Sequence, residues 1–161
     1  LALNAGHGTL TAAEAYTEYR EIVDGEKVAA IDRRVVKRIM DGKRMSANDV
    51  LTIQRERQRL IRSFRNQLGD AVLVMPTTPI TAPAVAPLEA DDELFHKVNL
   101  TALRNTMFGN ILDLCGVAVP NGRDGDGLPT SVLFSAPHSA DERLLGLALA
   151  IEGVVADADA K

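Results

Sequence analysis

The sequence is poor in residues that many kinds of functional site require. It has no tryptophan, and aromatic residues make up only 4% of it, so stacking platforms for nucleic-acid bases are lacking. Its one cysteine, Cys115, excludes an internal disulfide and favours a reducing compartment, so we expect a cytoplasmic protein. No apolar run approaches the roughly 18 residues that a membrane-spanning helix needs. The formal net charge of −4 gives no general attraction to nucleic acid or anionic membranes, and neither partner is predicted.

Motifs for metal binding and nucleophilic catalysis are also missing. His7, His96 and His138 stand far apart, and none has a second His or Cys at ligand spacing, so no metal and no cofactor are predicted. Cys115 has apolar neighbours and no local base, which is typical of a core cysteine. None of the five serines lies in G-x-S-x-G or three residues before a lysine, and no two glycines are adjacent. The residues therefore predict no catalytic side chain.

Residues 1–69 are predicted to be mainly helical. Thr11–Glu14 and Ser46–Asp49 have the pattern of capping boxes, in which a hydroxyl and an acid three residues on satisfy free amides. Apolar residues recur at spacings of three and four after each box, and Gly42 is expected to stop the middle helix. The predicted helices run over residues 11–23, 27–41 and 46–68.

A basic stretch covers residues 32–65, which hold eleven Lys/Arg against four Asp/Glu. It predicts either a nucleic-acid surface or the solvated face of a helix. The second interpretation is favoured because the basic residues alternate with a regular apolar stripe and have no aromatic platform beside them.

Residues 70–153 are predicted to form the α/β part of a single domain spanning 1–161, with a frayed tail at 154–161. Short apolar runs predict buried strands at 71–75, 116–120 and 130–135, the last two paired as a hairpin across residues 121–127. Four prolines in residues 76–87 predict an extended loop. Helices are expected over 91–113, in one or two pieces, and over 140–152, with Gly153 as the stop. The fold class is therefore α/β, with helices packed on a small mixed sheet.

A row of polar residues interrupts the apolar helix at Asn99, Thr106 and Asn110. Thr106 and Asn110 are one turn apart and share a face. One interpretation is that these side chains satisfy buried backbone groups at strand ends or in the proline loop, and the residues alone favour it. The other is that they line a polar pocket. The acids of Asp91–Glu93 are explained by the helix dipole rather than by a cation.

Three ordered segments resemble the carboxy-terminal part of amidase-signature enzymes, a family that includes amidases and subunits of glutamyl-tRNA amidotransferases. They read DAVLVMPTTPITAPAVAP, NLTALRNTMFGN and CGVAVPNGRDGDGLPTSVLFSAPHSADERLLGLALAIE. The upstream SANDVLTIQRERQRL is similar to the long helix that precedes the Pro-Thr loop in that family. The resemblance covers nearly the whole chain and is most specific over residues 70–152. One departure is Asp113–Cys115, where family members often have Gly-x-Pro before the second strand.

The resemblance implies an α/β/α layer fold and hydrolysis or transfer of amides by a Ser-cisSer-Lys triad. That triad lies upstream in the family and nothing in this chain matches it, so the chain is expected to be inactive alone. A small-molecule amide would be the substrate of the parent enzyme. The resemblance also implies residues that approach or support the active site without taking part in the chemistry. These candidates are Pro76, Thr77, Thr78, Thr106 and Asn110.

Two other hypotheses remain open. A truncated sheet would leave an unpaired edge and apolar surface, which favours a non-catalytic binding or oligomerisation module, with a homodimer as its simplest form. Nucleic-acid binding through residues 33–65 would show strongly salt-dependent affinity.

Overall fold

A computed structural model describes residues 6–156, and the chain divides between Leu60 and Ile61 into two compact units. The α/β class is confirmed, with helices packed on a sheet of three strands. The helices, numbered α1 to α7, span Leu10–Val23, Arg33–Lys43, Ala47–Leu68, Val85–Ala90, Asp92–Leu103, Thr106–Leu112 and Asp141–Ala156. The strands, β1 to β3, span Leu73–Pro76, Leu114–Arg123 and Pro129–Pro137.

Helix α1 begins earlier than the capping pattern predicted. The capping residue is Thr9, whose Oγ1 accepts a hydrogen bond from the amide of Ala12 at 3.1 Å. The capping role predicted for Thr11 is therefore wrong. The helix ends as predicted at Val23, where Asp24 is the C-cap.

The middle helix predicted over residues 27–41 is broken into two. A 3₁₀ helix covers Glu26–Ala30, Ile31 is extended, and Asp32 then caps α2 by accepting a hydrogen bond from the amide of Arg34 at 2.8 Å. A local side-chain acceptor thus restarts the helix within the apolar repeat.

Gly42 does not stop α2, because the helix continues to Lys43. Gly42 is buried, and a Cβ built on it would lie 2.0 Å from the carbonyl oxygen of Ala12 and 2.9 Å from Cβ of Tyr16. The glycine is therefore required by the close approach of α1 and α2 and not by a change of chain direction.

The capping box of α3 is confirmed. The Asp49 amide donates to Ser46 Oγ at 3.1 Å, and the Ser46 amide donates back to Asp49 Oδ2 at 2.9 Å. The apolar stripe is confirmed as well, since Ile53 and Ile61 are buried. The basic side chains of α3 lie mostly on exposed positions between them, as a solvated helix face requires.

The sheet has the strand order β1-β3-β2, and both pairings are antiparallel. The predicted hairpin between the last two strands is confirmed, with Val117 opposite Phe134 and Val119 opposite Val132. The sheet expected to be mixed is purely antiparallel among the described strands.

One face of the sheet packs against α7. Val119, Phe134, Ala136, Leu144 and Ala148 form the buried cluster there, and Leu144 is only 2% exposed. Alternate residues of a strand face the same side of a sheet, which brings Phe134 and Ala136 of β3 to the helix together. The same helix passes Gly153 and continues to Ala156, so the stop predicted at Gly153 is wrong. The predicted tail from residue 157 onward lies outside the described residues.

The proline-rich segment is only partly the extended loop that the prolines predicted. It begins as β1, which includes Pro76, and it ends in α4, where Pro87 is the third helical residue. The first turn of a helix needs no amide donors from within the helix, so proline is tolerated there. Beyond it, Asp91 caps α5 by accepting hydrogen bonds from Glu93 and Leu94, which agrees with the predicted electrostatic role of the acids.

Candidate functional site

An open cleft lies between the Pro-Thr loop and the hairpin of β2 and β3. Residues 76–81 form one side, and Asn121 with residues 129–132 forms the other, around a cavity of about 270 Å³. Its walls combine prolines and aliphatic side chains with hydroxyls and one carboxamide, and none of the residues that line it is charged. Small-molecule sites are typically concave and combine apolar walls with a few polar groups, so this cleft is the candidate site.

Thr77 and Ser131 hold the two sides of the cleft together. The amide of Thr77 donates to the carbonyl of Ser131 at 3.0 Å, which continues the β1-β3 pairing beyond Pro76. The Ser131 hydroxyl donates to Thr77 Oγ1 at 2.7 Å, and Thr77 Oγ1 lies 3.2 Å from the Ser131 carbonyl oxygen, to which it donates. Both hydroxyls are thereby occupied within the protein.

A β-bulge presents Asn121 at the cleft. Pro120 pairs with Ser131 and Gly122 with Thr130, so Asn121 is the extra residue without a partner across the ladder. Gly122 has φ 116°, in the region that favours glycine, and this allows the bulge to form. The Oδ1 atom of Asn121 is buried and accepts no hydrogen bond among the described residues.

Asp124 braces the hairpin turn next to the cleft. Its carboxylate accepts hydrogen bonds from the amides of Asp126 and Leu128 in that turn, at 3.0 and 2.9 Å. The Leu128 amide and the Thr81 hydroxyl hold the pKa of Asp124 below its usual range. The carboxylate therefore stays ionised and ties the hairpin turn to the Pro-Thr loop.

The site residues predicted from the sequence fall into two groups. Pro76, Thr77 and Thr78 line the cleft. Thr106 and Asn110 do not line it: Thr106 Oγ1 donates to the Leu103 carbonyl at 3.1 Å, and Asn110 is exposed on α6. Their approach to a substrate stays a prediction for the whole enzyme.

A neighbouring residue that the sequence reasoning missed connects α6 to the loop. Asn105 Nδ2 donates to the carbonyl of Pro76 at 2.7 Å. This is the backbone-satisfying role that one interpretation gave to the polar row, filled by the residue before Thr106. Asn121 and Ser131 were also missed, although a glycine inside a strand, here Gly122, is a known signal of a bulge.

Nucleophilic chemistry has no base at this cleft. Ser131 is the serine that lines it, and its hydroxyl proton points to Thr77 Oγ1, which is not a base. A seryl nucleophile needs an adjacent His, Lys or equivalent group, and the residues lining the cleft include none. Across residues 6–156, no group of three His, Cys, Asp or Glu side chains could hold a metal ion.

In the same range, none of the helices combines the length and the apolar character that crossing a membrane would demand.

Sequence comparisons place the chain among amidases. A family model described as Amidase matches residues 4–145. The 2-amino-5-chloromuconic acid deaminase of Comamonas testosteroni is 29% identical over 130 residues, which are 80% of this chain and 28% of that protein. The fatty acid amide hydrolase of Arabidopsis thaliana is 34% identical over 109 residues, or 66% of this chain and 18% of that protein.

The fold comparison agrees with the sequence comparison. The allophanate hydrolase of Kluyveromyces lactis superposes with a TM-score of 0.73 at 29% identity, covering 85% of this chain and 22% of that one. The chain thus spans less than a third of the length of these relatives. Because the family model matches most of its residues, the chain belongs to the amidase family.

Proposed function

We propose that this chain forms a substrate-side wall of an amidase and contributes no nucleophile to it. In the whole enzyme, the reaction would be hydrolysis of a linear amide C–N bond by a Ser-cisSer-Lys triad carried on another segment. The observation that supports this division is the cleft itself. It lies at one end of the sheet, the Thr77 and Ser131 hydroxyls that line it are used in internal hydrogen bonds, and its lining holds no base.

The family relationship supports the reaction class. The chain shares its fold and 29% sequence identity with an allophanate hydrolase, and 34% identity with a fatty acid amide hydrolase over a shorter range. Both names describe hydrolysis at a carbonyl bonded to nitrogen. We extend that chemistry, and not either substrate, to the enzyme in which this chain would work.

The direct test is ammonia release by the purified chain from simple linear amides. No turnover above buffer is expected, and a fluorophosphonate probe for activated serines should leave the intact mass of the chain unchanged. Turnover that disappears in Ser131→Ala would overturn the proposal, because it would identify a nucleophile inside the cleft. Labelling of any other serine would overturn it in the same way.

A second candidate function is self-association through α7. Leu145, Leu149 and Val154 are 55%, 76% and 75% exposed, although the opposite side of the same helix is core. Exposed apolar surface of this kind favours association. Sedimentation velocity at several concentrations should show a dimer that Leu149→Lys converts to monomer, and a monomer at high concentration would exclude this candidate.

A further inference from the structure

We infer that Asn105 is a positioning residue for the cleft: by holding the Pro76 carbonyl, its carboxamide fixes the point at which the Pro-Thr loop leaves the sheet. The effect on the shape of the cleft belongs to this chain alone, and its consequence for turnover rests on the proposed function. Three features support this role: the direction of the Pro76 carbonyl, the conformation of Asn105 at the start of α6, and the attachment of the loop at both ends.

The Pro76 carbonyl points away from the other strands of the sheet. In an antiparallel pair, the N–H and C=O of one residue point to the same side, and that side alternates along the strand. The Thr77 amide donates to Ser131 on β3, so the carbonyl of Pro76, one residue earlier, lies on the outer side of β1. β1 is an outer strand of the sheet, and proline has no N–H to place there. Asn105 Nδ2, at 2.7 Å, thus supplies the donor that a neighbouring strand would otherwise give.

Asn105 uses its side chain for the loop and not for its own helix. Asparagine is often found just before a helix, because its side-chain oxygen can accept a hydrogen bond from an amide of the first turn. That role goes with an extended backbone, whereas Asn105 has φ −75° and ψ −45°, the helical conformation. Among the described residues, its side chain caps no amide of α6. The carboxamide serves the contact with Pro76, which lies 29 positions away in the sequence.

The Pro-Thr loop is held at both ends, so the position of its middle depends on both attachments. Asn105 holds the end next to β1, and at the other end the Thr81 hydroxyl donates to the Asp124 carboxylate. Residues 78–80 lie between these points and line the cleft. Pro79 has a fixed φ angle, which leaves this short segment little freedom to absorb a shift at one end. Loss of the bond from Asn105 should therefore displace the wall of the cleft.

The experiment is hydrogen exchange of backbone amides, followed by NMR on the unaltered chain and on matched variants. Asn105→Asp keeps the size of the side chain but replaces the donor with a charged acceptor that faces the Pro76 carbonyl. We expect it to speed exchange of the Thr77 amide about tenfold, the change expected from loss of one hydrogen bond, and to shift the resonances of residues 78–81. Asn66→Asp makes the same change on the exposed side of α3 and should alter neither.

Two comparisons separate positioning from general destabilisation. Exchange of the amides in residues 117–119, within the β2-β3 pairing, should be the same in Asn105→Asp as in the unaltered chain, whereas a loss of overall stability would speed it too. Asn105→Gln keeps the carboxamide and should restore slow exchange at Thr77, while Asn105→Leu should not. The contrast between these last two variants decides the matter even if Asn105→Asp fails to fold.

Turnover gives a second readout, in a chimera of Kluyveromyces lactis allophanate hydrolase that carries this chain in place of the part with which it superposes. A displaced wall weakens binding of the substrate and of the transition state alike. Asn105→Asp should therefore raise KM for allophanate about tenfold and change kcat by less than about twofold. Asn66→Asp should leave both unchanged.

Four results would overturn the inference: Thr77 exchange that is unchanged in Asn105→Asp and Asn105→Leu, equal acceleration in residues 117–119, Asn105→Gln that behaves like Asn105→Leu, or an active chimera whose KM does not respond. A chimera without turnover is a different result. It would contradict the proposed function, and exchange measured on the chain alone would still decide the role of Asn105.

Discussion

At the scale of single residues, Asp113 has a backbone conformation that is unusual for a residue other than glycine. Asp113 ends α6 with φ 57° and ψ 51°, the left-handed conformation that glycine adopts without cost. This is also the position where the chain departs from the Gly-x-Pro that family members often have. Its carbonyl accepts a hydrogen bond from the His138 amide at 3.0 Å, which fixes the turn against the end of β3.

Replacing Asp113 by glycine should therefore stabilise the protein. The left-handed conformation costs a residue with a Cβ about 1–2 kcal/mol. The exposed pair with His138, at 3.8 Å, offsets only part of that gain. We expect Asp113→Gly to raise the free energy of unfolding by about 1 kcal/mol and Asp113→Val to lower it by at least as much, as measured by urea denaturation followed by circular dichroism. A less stable glycine variant would contradict this explanation of the turn.

Asp49 makes the stability of the first unit, which ends at Leu60, depend on pH. Hydrogen bonds from the Ser46 hydroxyl and the His7 ring, and one from the Ser46 amide, lower the pKa of Asp49 to about 2. In the unfolded chain the pKa returns to its ordinary value of 3.8, so the unfolded state binds the proton more readily. The contribution of Asp49 to stability is complete above about pH 4 and is lost as the pH falls toward 2.

The measurement is the fluorescence of Tyr16 and Tyr19, the two tyrosines of the sequence, during denaturation at several pH values. Both lie in the unit that contains Asp49, so they report on it selectively. Asp49→Asn should be less stable at neutral pH and should lose less stability between pH 4 and pH 2. An unchanged acid dependence in that variant would assign the effect to other groups.

At the scale of elements, alanine substitutions at two helical glycines test how closely the helices pack against their neighbours. Gly42→Ala would push a methyl group against the Ala12 carbonyl, where 2.0 Å is available. We expect it to lower the stability of the first unit by about 3 kcal/mol, as overpacking does. Gly146 is also inside a helix, but a Cβ built on it would have nothing within 4 Å, so Gly146→Ala should stabilise by about 0.5–1 kcal/mol.

The two alanine variants are compared by urea denaturation, with tyrosine fluorescence for Gly42→Ala and circular dichroism for both. Opposite signs are expected because the substitutions differ only in the space around them. Equal effects would mean that helix propensity, and not the contact between α1 and α2, decides the role of Gly42.

Capping residues and apolar runs in the sequence correctly predicted the helices and strands that depend on neighbouring residues alone. The box at Ser46 and Asp49 satisfies its own helix end, so the sequence located α3 correctly, and short apolar runs located the hairpin strands. These sequence patterns failed where a contact with a residue distant in the sequence determines the role of a residue. The stop predicted at Gly42 is wrong because the glycine is needed for the close contact with the Ala12 carbonyl, which lies on another helix. Thr9 and Thr11 offer the same hydroxyl, and the choice between them depends on the backbone conformation at Thr9.

Of the residues that line the cleft, the sequence pointed to Pro76, Thr77 and Thr78. The Pro-Thr loop could be identified because prolines and threonines define its conformation and its resemblance to a family. Asn121 could not be identified from the sequence, because its place at the cleft depends on a register shift between β2 and β3. Thr106 and Asn110 were predicted to lie near the active site partly because they share a helix face. Helical spacing identifies neighbouring residues on a helix, but it does not show which part of the protein that face packs against.

At the scale of the whole molecule, we propose an amidase divided into parts with different tasks. In this proposal the chain contributes a three-stranded sheet, a Pro-Thr loop and an open cleft, while the nucleophile and base belong to another segment. If the division holds, the chain gains activity only in combination with a triad.

The measurement that tests this most directly uses a chimera of Kluyveromyces lactis allophanate hydrolase, in which this chain replaces the 22% of that structure with which it superposes. Ammonia release from allophanate is compared for the chimera, the unaltered hydrolase and this chain alone. We predict turnover by the chimera, reduced by Thr77→Val through loss of the bond to Ser131, and none by the chain alone. A folded chimera without turnover, or turnover by the chain alone, would contradict the division.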